Sequence, residues 1–148
     1  MRAGLTTLSV LGMLLGAPES PFTDAALAQD GACSMAQLRG AYAVYGQGSG
    51  ILGNPPQQGT EVDVGIATLD GKGNLAGSIT FSFNGQIFRT KFTGAYLVKS
   101  DCTITISIHD DLGENLQEEG VVLAHGDEIR FIETNPGTVI ARVAKRLR

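Results

Sequence analysis

Of the 148 residues, none is tryptophan and only 6% are aromatic. The stacked rings that hold single-stranded nucleic acid or sugars are therefore missing. A formal net charge of −4 argues against a phosphate-backbone partner. The N-terminal apolar run, 5–17, is thirteen residues long and too short to span a bilayer. Only two cysteines occur, Cys33 and Cys102, and neither has a histidine or second cysteine nearby, so no metal site is expected. A lipid anchor would need leucine three residues before a cysteine, and Asp30 stands there before Cys33.

The residues present begin with a leader. Arg2, the apolar run and the small-x-small site Ala26-Leu27-Ala28 read as a secretory signal over 1–28. That leaves 29–148 as a single domain, with a mature charge of −3 and no membrane anchor after cleavage. The expected location is exported, either periplasmic or extracellular. In such a compartment an isolated cysteine pair reads as one disulfide, Cys33–Cys102; two buried free thiols are the alternative.

Beyond the leader the chain is built from strands. From Leu75, the residues Leu75, Gly77, Ile79, Phe81 and Phe83 fall on one face and Ala76, Ser78, Thr80 and Ser82 on the other. Asp70-Gly71 opens this strand and Asn84-Gly85 closes it, both dipeptides that suit tight hairpins. The same pattern gives strands over 42–46, 62–69, 87–98, 102–109, 116–124, 128–134 and 139–143. In the second, Val62, Val64 and Ile66 share a face and are expected in the core. Ser34 to Gly40 carries an N-cap residue and a terminal glycine, fitting a short N-terminal helix. The glycine- and proline-rich segment 48–59 reads as a flexible loop, and Lys145-Arg146-Leu147-Arg148 as a basic tail.

About eight short strands with mostly tight turns predict an all-β, antiparallel up-and-down barrel. A β-sandwich is the alternative, but it needs longer crossovers. In such a barrel alternate connections share an end. The turns 70–71, 99–101 and 125–127 then lie beside Cys33 and Cys102, while the longer segments 48–59 and 110–115 form a mouth at the other end.

A set of short motifs resembles a known family. Gly40-x-Tyr42, Thr68-x-Asp70-Gly71-Lys72-Gly73-Asn74-Leu75-x-Gly77, Thr93-Gly94-x-Tyr96, Asp101-Cys102-Thr103 and Glu128-Ile129-Arg130-Phe131 are similar to those of small, uncharacterised exported bacterial proteins. That family is similar to the allene oxide cyclase barrel. The resemblance spans about 33–146 and implies secretion and an eight-stranded, calycin-like barrel. It implies no cyclase chemistry, because none of the plant enzyme's motifs is present.

Candidate chemistry is sparse. Glu133 shares parity with Ile129 and Phe131 and so points inward near the mouth, where burial would raise its pKa. Tyr42 and Tyr96 add interior hydroxyls, and Phe88 belongs to a phenylalanine set that lines or fills the barrel. These four are the candidate ligand-binding residues; the opposing reading is a hydrated rim carboxylate and packing aromatics. His109-Asp110-Asp111 with Glu114 matches no metal loop, and His109 faces outward, so a solvated hairpin tip is expected. Gly46-Gln47-Gly48-Ser49-Gly50 lacks the lysine and helix of a phosphate loop. No cofactor is implied. The expected function is binding of a small apolar or amphipathic molecule, or an inert scaffold. An isomerase- or cyclase-like enzyme with Glu133 as its polar handle is the alternative. Oligomeric state and any catalytic residue are not encoded in a readable form.

Overall fold

The computed structural model describes residues 32–148; the signal segment 1–28 lies outside them. A single turn of 3-10 helix, Met35–Gln37, leads into eight strands: β1 Arg39–Leu52, β2 Gln57–Asp70, β3 Asn74–Phe83, β4 Gln86–Val98, β5 Thr103–Asp110, β6 Asn115–Leu123, β7 Glu128–Glu133 and β8 Val139–Arg146. Each strand pairs antiparallel with its sequence neighbours, and β8 returns to β1, from Tyr42 opposite Arg146 to Ser49 opposite Val139. The sheet is a closed up-and-down barrel. Closure leaves no edge strand, which rules out the sandwich.

The turns follow their residues. Asp70 accepts hydrogen bonds from the Lys72 and Asn74 backbone amides and from the Asn74 side chain. These bonds hold its carboxyl at about 2, below the ordinary carboxylate value. Asn84 and Gly85 both take positive φ, as a two-residue hairpin requires. The expected short helix is a single 3-10 turn. Gln37 folds its side chain back onto the Ser34 amide after one turn, and Leu38 is already fully buried.

Two expectations fail at the ends of β1 and β8. Residues 48–52 and 57–59 are not loop; they lengthen the β1–β2 hairpin, with Gly50 opposite Gly59. Glycines on an inward face let the sheet bend tightly and a neighbouring backbone approach. A Cβ on Gly48 would sit 1.9 Å from the Val139 carbonyl oxygen. Arg146 is likewise no tail residue. It ends β8 and turns its guanidinium onto the carbonyls of Gln37, Arg39 and Gly126 and the Asp127 carboxylate, 4.9 Å from the Tyr42 ring centroid.

Arg146 therefore plugs one end of the barrel, together with Leu38, Tyr42 and Tyr96. The Tyr42 hydroxyl donates to the Gly126 carbonyl at 2.7 Å and Tyr96 to that of Leu38 at 3.4 Å. Cys33 and Cys102 form a disulfide at this end, as the connectivity predicted. Aliphatic and aromatic side chains from all eight strands stack above the plug, including Leu69, Ile104, Val122 and Ile129.

The bridge closes a loop with a sequence separation of 69. By the chain-entropy relation it stabilises the fold by about 4 kcal/mol. Thiol titration of the denatured protein should find no free thiol. The double variant Cys33→Ser, Cys102→Ser should lose about that stability in urea unfolding, and two reactive thiols in the wild type would contradict the bridge.

Candidate functional site

The mouth-side half of the barrel interior carries a buried charged cluster beside apolar side chains, and the alternation of β2 supplies two of its members. Leu69 and Ala67 point inward and are buried. Period two then carries Asp63 and Glu61 inside and Val62, Val64 and Ile66 outside, each about half exposed. The expected core face of β2 is therefore reversed. Both faces carry an apolar set, and the inward one is fixed by its lower half, since a one-residue slip would turn every side chain over. The same alternation brings Glu118 inward between Leu116 and Val122, and Arg142 between Ile140 and Ala144.

These side chains meet around one guanidinium. Arg142 Nε donates to Asp63 Oδ2 at 2.9 Å. Nη1 donates to Glu118 Oε1 at 2.8 Å and to Glu133 Oε2 at 3.3 Å. Nη2 donates to Glu61 Oε1 at 3.1 Å. The side chains of Arg142, Asp63, Glu118 and Glu133 are all at least nine-tenths buried. Gly46 makes the meeting possible, because on β1 it lies opposite Asp63 on one side and Arg142 on the other. A Cβ there would stand 2.5 Å from Arg142 Cγ and 2.6 Å from Asp63 Oδ2.

Four carboxyls share one cation, and burial disfavours the charged form of the three glutamates. It pushes Glu61 and Glu118 up to about 7, against the pull of Arg142, with the neighbouring acids adding to the rise. Glu133 is raised for the same leading reason. Burial also opposes the Arg142 charge, but the surrounding carboxylates outweigh it and hold its pKa above the ordinary value. Two buried oxygens, Asp63 Oδ1 and Glu118 Oε2, meet no hydrogen-bond donor. Glu61 lies within hydrogen-bond reach of the Asp63 carboxyl, so a proton on Glu61 can serve that side of the cluster.

The cluster forms one wall of a cavity of about 110 Å³ inside the barrel. The remaining wall is mostly apolar, with Ala67, Ile79, Phe92, Ile106 and Phe131 among its residues. At the mouth the cavity reaches Leu52 and Glu114. Among the described residues, no group of three or more His, Cys, Asp or Glu side chains is arranged to hold a metal ion.

Of the residues singled out from sequence, Glu133 lines this cavity, inward and at the mouth end as parity indicated. It is paired with Arg142 rather than isolated or hydrated. Tyr42 and Tyr96 are spent in the plug at the far end, where burial raises both hydroxyl pKa values. Phe88 stacks on Phe81, ring centroids 5.0 Å apart, and it is Phe81 that lines the cavity. The phenylalanines thus do not fill the barrel. His109 faces outward onto Asn115, as expected. Asp110 instead turns inward and accepts from the Leu112 and Glu114 amides, so the tip is only partly solvated. Sequence reasoning missed Arg142, Asp63, Glu61 and Glu118. Extending the parity of Leu116 and Val122, or of Ile140 and Ala144, would have found two of them.

Neither a family model nor a curated protein sequence matches the chain.

Two measurements check the cluster. Gly46→Ala forces a methyl group between Arg142 and Asp63 and should cost about 1–3 kcal/mol in urea unfolding; a neutral effect would mean that the contact relaxes freely. Glu61 and Glu118 bind their protons more tightly folded than unfolded, from an ordinary 4.5 to about 7. Stability should therefore fall as pH rises through that interval, by on the order of a few kcal/mol, and level off above it. Glu118→Gln should flatten the slope between pH 5 and pH 8; an unchanged slope would place the titration elsewhere.

Proposed function

We propose that this protein is an exported binding module that holds one small amphipathic molecule inside its barrel. The observation that carries this reading is the cavity of about 110 Å³, apolar over most of its wall and bounded on one side by a buried arginine–carboxylate cluster. An eight-stranded barrel either fills its interior or keeps room for one small ligand, and here room remains. The volume is below the ~150 Å³ of an engineered apolar cavity that takes up benzene, which sets the ligand body at about four to six heavy atoms. An inert scaffold would have no reason to bury ionisable groups beside empty space, where they cost stability.

The disulfide fits an oxidising compartment. Together with the leader over 1–28 and the resemblance to exported calycin-like barrels, it supports a periplasmic or extracellular location. A mildly acidic chain argues against a nucleic-acid partner. A second reading, an isomerase-like enzyme, draws on Glu61 and Glu118. Carboxyls poised near 7 beside an apolar pocket are suited to moving a proton on a bound substrate. Turnover of a bound compound would distinguish it from the binding module.

Methyl-resolved NMR with isopentanol tests the binding reading. Titration should shift the Ile79, Ile106, Ile108 and Ile129 methyl signals, all from cavity-lining residues. Ala67→Leu, which fills part of the space, should abolish those shifts in a protein that stays folded. Absence of any shift in the wild type at tens of millimolar probe would end the proposal.

A further inference from the structure

We propose that the molecule held in the barrel is a small primary amine, its ammonium group seated against Glu118 and Glu133 and its aliphatic body in the apolar part of the cavity. The inference rests on the binding reading above and names the chemistry of the ligand's head.

A count of donors and acceptors supports it. A guanidinium has five N–H groups. Four of those on Arg142 are taken, one each by Asp63, Glu118, Glu133 and Glu61. The arginine has almost nothing left for an anionic or acceptor head group. Acceptors, by contrast, are in surplus. Glu118 Oε2 is buried and meets no donor, and Glu118 lines the cavity. A group that fits this wall must donate, and an ammonium brings three N–H donors.

Charge points the same way. The ionisable side chains lining the cavity are Glu61 from β2, Asp110 from the end of β5, Glu114 from the β5–β6 connection, Glu118 from β6, Glu133 from β7 and Arg142 from β8. Asp63 stands behind them against Arg142. One cation faces that many acids. A carboxylate ligand would meet repulsion in a low-dielectric space, whereas a cation relieves the mutual repulsion of the acids. A metal ion is the other cation to weigh, but among the described residues no group of three or more His, Cys, Asp or Glu side chains is arranged to hold one. The apolar remainder of the cavity also asks for a hydrocarbon body that a bare ion lacks.

The proton on Glu118 competes for the same place. With the Glu118 and Glu61 carboxyls at about 7, the empty site holds protons in mild acid and gives them up in mild base. Amine binding should therefore strengthen as pH rises through 7 and weaken below it.

Four probes with matched bodies provide the test: isopentylamine, isopentanol, isovalerate and isopentane, titrated against the folded protein by methyl NMR at pH 5.5 and pH 8.5. At pH 8.5 the amine should bind at least tenfold tighter than the alcohol, and isovalerate weakest. At pH 5.5 the preference of amine over alcohol should shrink to less than threefold. Glu118→Gln should abolish the preference at pH 8.5 while still binding isopentanol, which also reports that the variant is folded. If it does not fold, Glu133→Gln should halve the preference or more. Equal binding of amine and alcohol, or tightest binding of isovalerate, would overturn the amine assignment and leave the pocket standing. Failure of all four probes to bind would remove the pocket and the assignment together.

Discussion

The Arg142 guanidinium is the interaction around which the upper barrel is arranged. It reaches from β8 to carboxylates on β2, β6 and β7, so one side chain ties four strands together from the inside. Such a group is expensive to bury. The Coulomb gain in a low-dielectric interior has to offset the desolvation of every charge involved. Here the offset is incomplete, because one cation serves four acids, and the excess appears as raised carboxyl pKa values and as Glu118 Oε2 without a donor. A hydrophobic set of the same volume would pack at least as stably. The retention of ions in this half of the interior leaves a charged wall beside the cavity.

The two ends of the barrel divide structure from site. At the closed end Arg146 also presents a guanidinium, but its hydrogen-bond partners are mostly backbone carbonyls, with Asp127 outside. That arginine is satisfied by the chain itself, and with the disulfide and the two buried tyrosines it holds the base together. At the mouth end the donors and acceptors do not balance. Two arginines four residues apart on β8 share the inward parity and have opposite roles, one completing the fold and one leaving chemistry open.

Glycine permits the arrangement. Gly46 removes a side chain where Asp63 and Arg142 would otherwise be kept apart by β1. Gly48 lets β8 approach β1 at the closing seam. The glycine run that resembles a flexible loop is in the structure an inward strand face, and its lack of side chains is what makes space for both ion cluster and cavity.

From the sequence by itself, the strands, their turns, the up-and-down order and the disulfide could be derived. Period-two patterning and Asp-Gly or Asn-Gly turns act over a few residues, and alternate-loop geometry brings Cys33 to Cys102 without further information. Glu133 was also legible, because Ile129 and Phe131 fix the parity of β7. The candidate site as a whole was not. In β2, Val62, Val64 and Ile66 compete with Ala67 and Leu69 for the interior, and only barrel closure selects the face that buries Glu61 and Asp63. A buried carboxylate is affordable only when a counter-charge waits for it. Arg142 lies 79 residues from Asp63 in the chain, a separation across which no local pattern carries information. Tertiary structure alone decided that Glu61 and Asp63 point inward, that the charges meet around Arg142, and how much space they were left to share.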